Sequence, residues 1–163
     1  MIMVEPRPRA ANGPGKVRRV TIAVEILDEV TDEVVEAFAR LLPQLSSSAK
    51  PLDAAAIAAL ASSPATTVLL ARSGGQIAGT LSLVIFRIPT GLRAWIEDVV
   101  VDEAASRQGI GTMLTREAIR LARAAGVRTV DLSTRPSRVA AGRLYEREGF
   151  KQRDTRMYRY ALE

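Results

Sequence analysis

The stretch Trp95-Ile96-Glu97-Asp98-Val99-Val100-Val101, followed closely by Ser106-Arg107-Gln108-Gly109-Ile110-Gly111-Thr112, decides how the rest of the chain is read. Its near-continuous apolar run predicts a buried strand, and the polar residues after it predict a loop. Gly109 and Gly111 then open a segment with helical periodicity. A strand, a glycine-bearing turn and a helix N-terminus aim unpaired backbone N–H groups and the positive helix end at one point, which suits an anion. Glu97 and Asp98 stand only a few residues upstream. A phosphate-bearing ligand and a proton-handling carboxylate are therefore expected as neighbours.

Two familiar phosphate loops fail here. A Walker loop needs Gly-Lys-Ser/Thr at the helix start, and the chain has no lysine between Lys50 and Lys151. A dinucleotide fingerprint needs a third glycine where this chain has Leu114. What remains is a loop suited to a pyrophosphate approached by main-chain amides, with Arg107 and Thr112 as side-chain donors.

Working outward, Ile110, Met113, Leu114, Ala118, Leu121, Ala122 and Ala125 fall on one helical face, and Gly126 sits where a helix-ending glycine belongs. Residues 129–133 predict a short strand, so this strand–helix–strand unit implies a parallel crossover. A last helix is expected over 137–147, stopped by Gly149, and a closing hairpin over 150–154 and 156–161. Upstream, 17–27 alternates as a half-buried strand. Thr31 is placed as N-cap of a helix to about Leu42, which Pro43 should bend or end. An alanine-rich second helix is expected over 52–61. Residues 67–72 and 76–88 predict strands joined through Ser73-Gly74-Gly75, and Pro89-Thr90-Gly91 turns the chain into the opening strand. The order is β-α-α-β-β-β-α-β-α-β-β, a mixed, mostly antiparallel α/β sheet flanked by helices. Residues 1–16, rich in proline and glycine, are expected as a flexible arm, and 17–163 as a single domain.

Composition narrows the chemistry. The 163 residues include no cysteine and no histidine, which removes thiolate nucleophiles, Cys/His zinc sites and histidine-based triads. Proton transfer must fall to Asp, Glu, Tyr, Lys, hydroxyls through water, or the backbone. A net charge of +5, carried mostly by arginine, admits an anionic partner. Yet the few aromatics do not interleave with the basic residues as a base-stacking surface would, so nucleic acid is not the expected partner. No apolar run approaches membrane-spanning length and no secretory leader is visible, so no membrane partner is expected and a cytoplasmic location is.

The strand and loop resemble motif A of the GNAT family of N-acetyltransferases, R/Q-x-x-G-x-G/A after an acidic apolar strand. Ala141-Gly142-Arg143-Leu144-Tyr145 and Glu146-Arg147-Glu148-Gly149-Phe150 resemble its motif B, A-x-x-L-Y-x-x-x-G-F. The expected element order also matches the family's fold over about 17–162. This resemblance implies acetyl-CoA as acetyl donor and an amine as acceptor. It implies that the backbone of Val99, Val100 and Val101 pairs with the pantetheine arm. The amides of Arg107, Gln108, Gly109, Ile110, Gly111 and Thr112 would hold the pyrophosphate. Direct attack of the amine on the thioester in a ternary complex needs neither cysteine nor histidine. Two positions depart from the family: Ser106 replaces its Arg or Gln, removing one charged phosphate contact, and Ser137-Arg138 stands where an asparagine is often found.

A protonated amine must lose a proton before it attacks, so a carboxylate within reach is required. Glu97 and Asp98 are expected on opposite faces of the strand, so at most one serves a given site. The resemblance favours Glu97 as base, with Asp98 the alternative; either could instead pair with an arginine or shape the strand. Tyr145 matches the family's tyrosine that protonates the departing thiolate, and could otherwise be a packing residue. The acceptor pocket is expected near 38–51 and 86–93, with Trp95 and Phe86 as lining or as core. A small-molecule amine is favoured over a protein lysine or N-terminus, and a homodimer is compatible with the sequence. The competing readings are a non-catalytic acyl-CoA-binding module and, below it, a basic nucleic-acid-binding domain.

Overall fold

The computed structural model describes residues 21–162. Strand β1 (Ile22–Ile26) leads into helices α1 (Asp32–Leu45) and α2 (Ala54–Ala61). Strands β2 (Thr66–Ser73), β3 (Gln76–Ile88) and β4 (Gly91–Val101) follow, then a 3-10 turn (Glu103–Ala105), α3 (Ile110–Ala124), β5 (Thr129–Leu132) and α4 (Val139–Arg147). The sheet order is β1-β2-β3-β4-β5, antiparallel except for the parallel β4–β5 pair. The meander and the parallel crossover expected from the sequence are both present. The flexible arm expected over 1–16 and the first residues of the expected opening strand lie outside the described residues. Among the described residues no helix is long and apolar enough to cross a membrane.

Local chemistry accounts for the helix ends. The Thr31 hydroxyl accepts from the Val34 amide at 3.4 Å, and Asp53 Oδ1 accepts from the Ala56 amide at 2.8 Å. Pro43 does not end α1, which runs on to Leu45. Proline removes one backbone donor, and in the last turn little helix remains to lose. Gly109 caps α3 in the left-handed conformation, φ 85°.

Two apolar layers sandwich the sheet. Ile110, Leu114, Ala118 and Ala122 of α3 pack on Leu69, Leu81, Leu83, Ala94 and Ile96. On the other face Val34, Phe38 and Leu41 of α1 and Ile57 of α2 pack on Val68, Leu70, Ile77 and Val100. Burying the valine, leucine, isoleucine and phenylalanine side chains among them contributes about 1.5–3 kcal/mol each. Met113, assigned to the buried face of α3, is instead 40% exposed.

The closing hairpin is not formed. Residues 151–162 carry no regular secondary structure and are exposed, with Tyr158 84% and Tyr160 88% accessible. β5 is therefore an edge strand of the described sheet, and α4 has no buried residue.

Candidate active site

β4 changes character halfway along. Its first part, Arg93 to Ile96, pairs with β5, which ends at Leu132. Glu97, Asp98, Val99, Val100 and Val101 have no β5 partner, so the sheet splays open on that side.

A bulge lies at the same place. Thr80 opposes Val100 and Ser82 opposes Glu97, so two steps of β3 span three of β4. The additional residue is Asp98, held at φ 50°, a left-handed conformation that aspartate tolerates better than most side chains. The bulge reverses the alternation of the strand. Before it, Ala94 and Ile96 face α3; after it, Val99 and Val101 face α3 while Val100 faces α1. Simple strand alternation for Glu97 and Asp98 therefore does not hold. Glu97 shares a face with Trp95, whose indole N–H donates to Glu97 Oε1 at 2.6 Å, whereas Asp98 is the bulge residue itself. Both carboxylates are exposed.

A cleft of about 550 Å³ occupies the splay. Its walls are Val99, Val100 and Val101 of β4, Gln44 and Leu45 at the end of α1, and the N-terminal part of α4 from Ser137 to Ala141. Among the described residues no side chain caps α4, and Val139, Ala140 and Ala141, which belong to the lining, have amides without a partner. Arg138 reaches over the cleft and donates from Nη2 to the Leu45 carbonyl at 2.7 Å, satisfying an end carbonyl of α1. Composition gave no sign of this strap, although Arg138 stands at one of the two departures from the family pattern. Arg40 lines a second, neighbouring cleft, where it pairs with Asp102 at 2.8 Å and donates to the Ile77 carbonyl. That guanidinium, helped by the Ala104 amide, holds the Asp102 carboxyl below its ordinary range.

The loop from Arg107 to Thr112 is set for an anion. Among the described residues the backbone N–H groups of Arg107, Gln108, Gly109, Ile110, Gly111 and Thr112 have no hydrogen-bond partner. Arg107 at φ 64° and Gly109 at φ 85° bend the loop, which brings successive amides toward one side. Gln108 is tied back by Ser73, whose hydroxyl lies 2.6 Å from Oε1. Gly111 allows close approach of α3 to α4: a Cβ there would meet Leu144 Cδ1 at 2.9 Å.

Tyr145 is half-buried, one helical turn beyond the cleft-lining Ala141, and its ring meets Phe150 edge-on at 5.8 Å. Burial raises its pKa, opposed in part by the positive charge of Arg138. Its hydroxyl has no partner among the described residues. Of the region expected to receive an acceptor, Phe38 is core, 3% exposed, while Gln44 and Leu45 line the cleft and Phe86 is at the surface.

A strand open beside a cleft is continued here by a run of free amides at a helix start, and comparison with known proteins gives the family. The model of the acetyltransferase (GNAT) family matches residues 27–150, and the chain belongs to that family. An aminoglycoside acetyltransferase from an uncultured soil metagenomic sample has a similar fold (TM-score 0.76, 20% identity, 87% of this chain and 97% of that one). So do an acetyltransferase described as putative from Agrobacterium tumefaciens (TM-score 0.73, 26% identity, 85% and 99%) and glucosamine-6-phosphate N-acetyltransferase from Arabidopsis thaliana (TM-score 0.72, 21% identity, 86% and 98%). No curated protein matches the chain.

Proposed function

We propose that this protein transfers an acetyl group from acetyl-CoA to a primary amine of a small molecule. The observation that carries the reading is the continuity of the splayed end of β4, its cleft, and the free amides from Arg107 to Thr112. The residues fit the donor. An extended amide-bearing arm suits the side of Val99, Val100 and Val101 that β5 leaves without a partner, as an added strand suits a sheet edge. A pyrophosphate suits the loop amides, the α3 N-terminus and the Arg107 guanidinium.

Acetyl-CoA supplies the acetyl group as a thioester, reactive enough for direct attack by an amine. The protein's own work is to bind, orient and handle two protons. Glu97, accessible at the bulge, takes a proton from the ammonium of the acceptor so that the nitrogen lone pair is free. Tyr145 is protonated at neutral pH as any phenol is, burial disfavours its phenolate further, and it donates to the departing sulfur. Asp98 shapes the bulge that turns Val99 and Val101 toward α3.

Among the structural neighbours stand acetyltransferases named for aminoglycosides and for glucosamine 6-phosphate. With a cleft open to solvent, these favour a small amine over a protein acceptor. The test is thiol release from acetyl-CoA in the presence of sisomicin, glucosamine 6-phosphate, spermidine, free lysine or a lysine peptide. Release with a small amine and not with the peptide is expected. Acetyl-CoA binding without release across the panel would instead favour an acyl-CoA-binding module.

A further inference from the structure

Trp95 is the chain's one tryptophan, and its indole N–H is spent on a single bond, to Glu97 Oε1 at 2.6 Å. Strand geometry makes the bond possible: residues two apart share a face, and Ile96 between them packs into the opposite layer. Ser82 on β3 stands opposite Glu97, and Val84 opposite Trp95; Asp131 on β5 stands beside Trp95.

Three features make this contact more than an incidental surface bond. An indole N–H can only donate, so it favours the ionised carboxylate and cannot itself take up the proton that Oε2 receives. It engages Oε1 alone, and Oε2 has no partner among the described residues. The β-ladder is interrupted immediately after Glu97, where Asp98 leaves the regular register. Among the described residues the indole is the one group holding an exposed side chain with three rotatable bonds.

We infer that Trp95 is a positioning residue for Glu97, fixing the carboxylate through Oε1 so that Oε2 presents its lone pair to the acceptor ammonium. The inference rests on the reading of Glu97 as base. In the step it serves, one N–H bond of the ammonium breaks, one O–H bond forms at Oε2, and the indole proton stays on its nitrogen throughout.

Because Trp95 is unique, growth on β-(3-benzothienyl)alanine replaces its N–H with sulfur at this one position and leaves the shape of the ring. Acetyl transfer is followed with whichever of sisomicin, glucosamine 6-phosphate or spermidine turns over fastest. The benzothienyl protein and Trp95→Phe should each lose about tenfold in kcat, as expected for a hydrogen bond to a charged group. The KM for acetyl-CoA should stay within about twofold, because the donor's binding elements are untouched. Glu97→Gln, which keeps an accepting oxygen but no base, should lose far more, and adding Trp95→Phe to it should cost little further.

A structural readout stands apart from turnover. The single indole N–H resonance of the protein should move upfield in Glu97→Ala, where its acceptor is gone. An unmoved resonance overturns the inference, as does an unchanged kcat in the benzothienyl protein while Glu97→Gln is impaired. Full activity in Glu97→Gln overturns the base assignment itself, and the positioning role with it.

Discussion

Arg107 occupies a conformation that a side chain avoids. At φ 64° its Cβ crowds the neighbouring carbonyl, a strain on the order of 1 kcal/mol that glycine would not carry. Among the described residues its side chain makes no ion pair that would offset the strain. A phosphate contact would account for it, at the place where Ser106 removes the family's own charged side chain. Arg107→Gly should therefore raise the melting temperature of the unliganded protein by about 2–4 °C and weaken acetyl-CoA binding roughly tenfold. Thermal melts with and without acetyl-CoA separate the two effects, and a fall in unliganded stability would contradict the account. Tyr145 makes the complementary case. Burial lifts its pKa, so the phenol remains a donor at neutral pH and does not ionise until above its ordinary value of about 10. Tyr145→Phe should lower kcat by about a hundredfold with little change in acetyl-CoA affinity. Any alkaline loss of the wild-type rate from this group should have its midpoint above pH 10. Unaltered turnover in the phenylalanine variant would reduce Tyr145 to the packing partner of Phe150.

At the scale of elements, the site depends on how β4 bends and how closely α3 meets α4. Thr80 lies under the bulge opposite Val100, 3% exposed, and its hydroxyl is the one buried side-chain polar atom without a partner among the described residues. Thr80→Val removes that unsatisfied group at nearly constant shape and should stabilise the protein by about 1 kcal/mol, read as a shifted denaturation midpoint. Gly111→Ala should act in the other direction. Its Cβ would stand 2.9 Å from Leu144 Cδ1, the flexible end of a side chain, so the cost should be about 1 kcal/mol and Leu144→Ala should relieve part of it in a double-mutant cycle.

The same elements mark what the sequence could and could not convey. Local patterns carried far: Thr31 as a cap, Ser73-Gly74-Gly75 as a hairpin turn, and Gly109 at the head of α3 rest on interactions spanning a few residues. The bulge was hidden, because Glu97-Asp98-Val99 reads as unbroken strand and its irregularity exists only against the register of β3. The Arg138 strap joins residues 93 positions apart, beyond any local pattern. The alternation in 156–161 suggested a strand but could not supply the partner edge that a strand needs.

For the molecule as a whole, charge and cleft must be weighed together. A net charge of +5 attracts polyanions of every kind, so affinity for a phosphate-bearing ligand does not by itself identify a site. What separates a built site from a basic surface is how binding divides between salt-sensitive and salt-insensitive contacts. The free amides from Arg107 to Thr112 and the backbone of β4 are fixed dipoles at close range, whereas arginine side chains in solvent act through a field that about 0.15 M salt cuts to some 8 Å. Acetyl-CoA at a hundredfold excess over its Kd should stabilise the protein by about 2.7 kcal/mol, or roughly 5–10 °C in melting temperature. Most of that shift should survive 0.5 M sodium chloride. S-Acetylpantetheine keeps the arm and lacks the pyrophosphate, so it should give a much smaller shift that salt hardly alters. A single-stranded oligonucleotide should bind, if at all, only at low salt and without displacing acetyl-CoA. Were the acetyl-CoA shift to vanish with salt as steeply as oligonucleotide binding does, the loop would be an ordinary stretch of basic surface. The assignment of the splayed strand and its amides to a phosphate-bearing acyl donor would then fall.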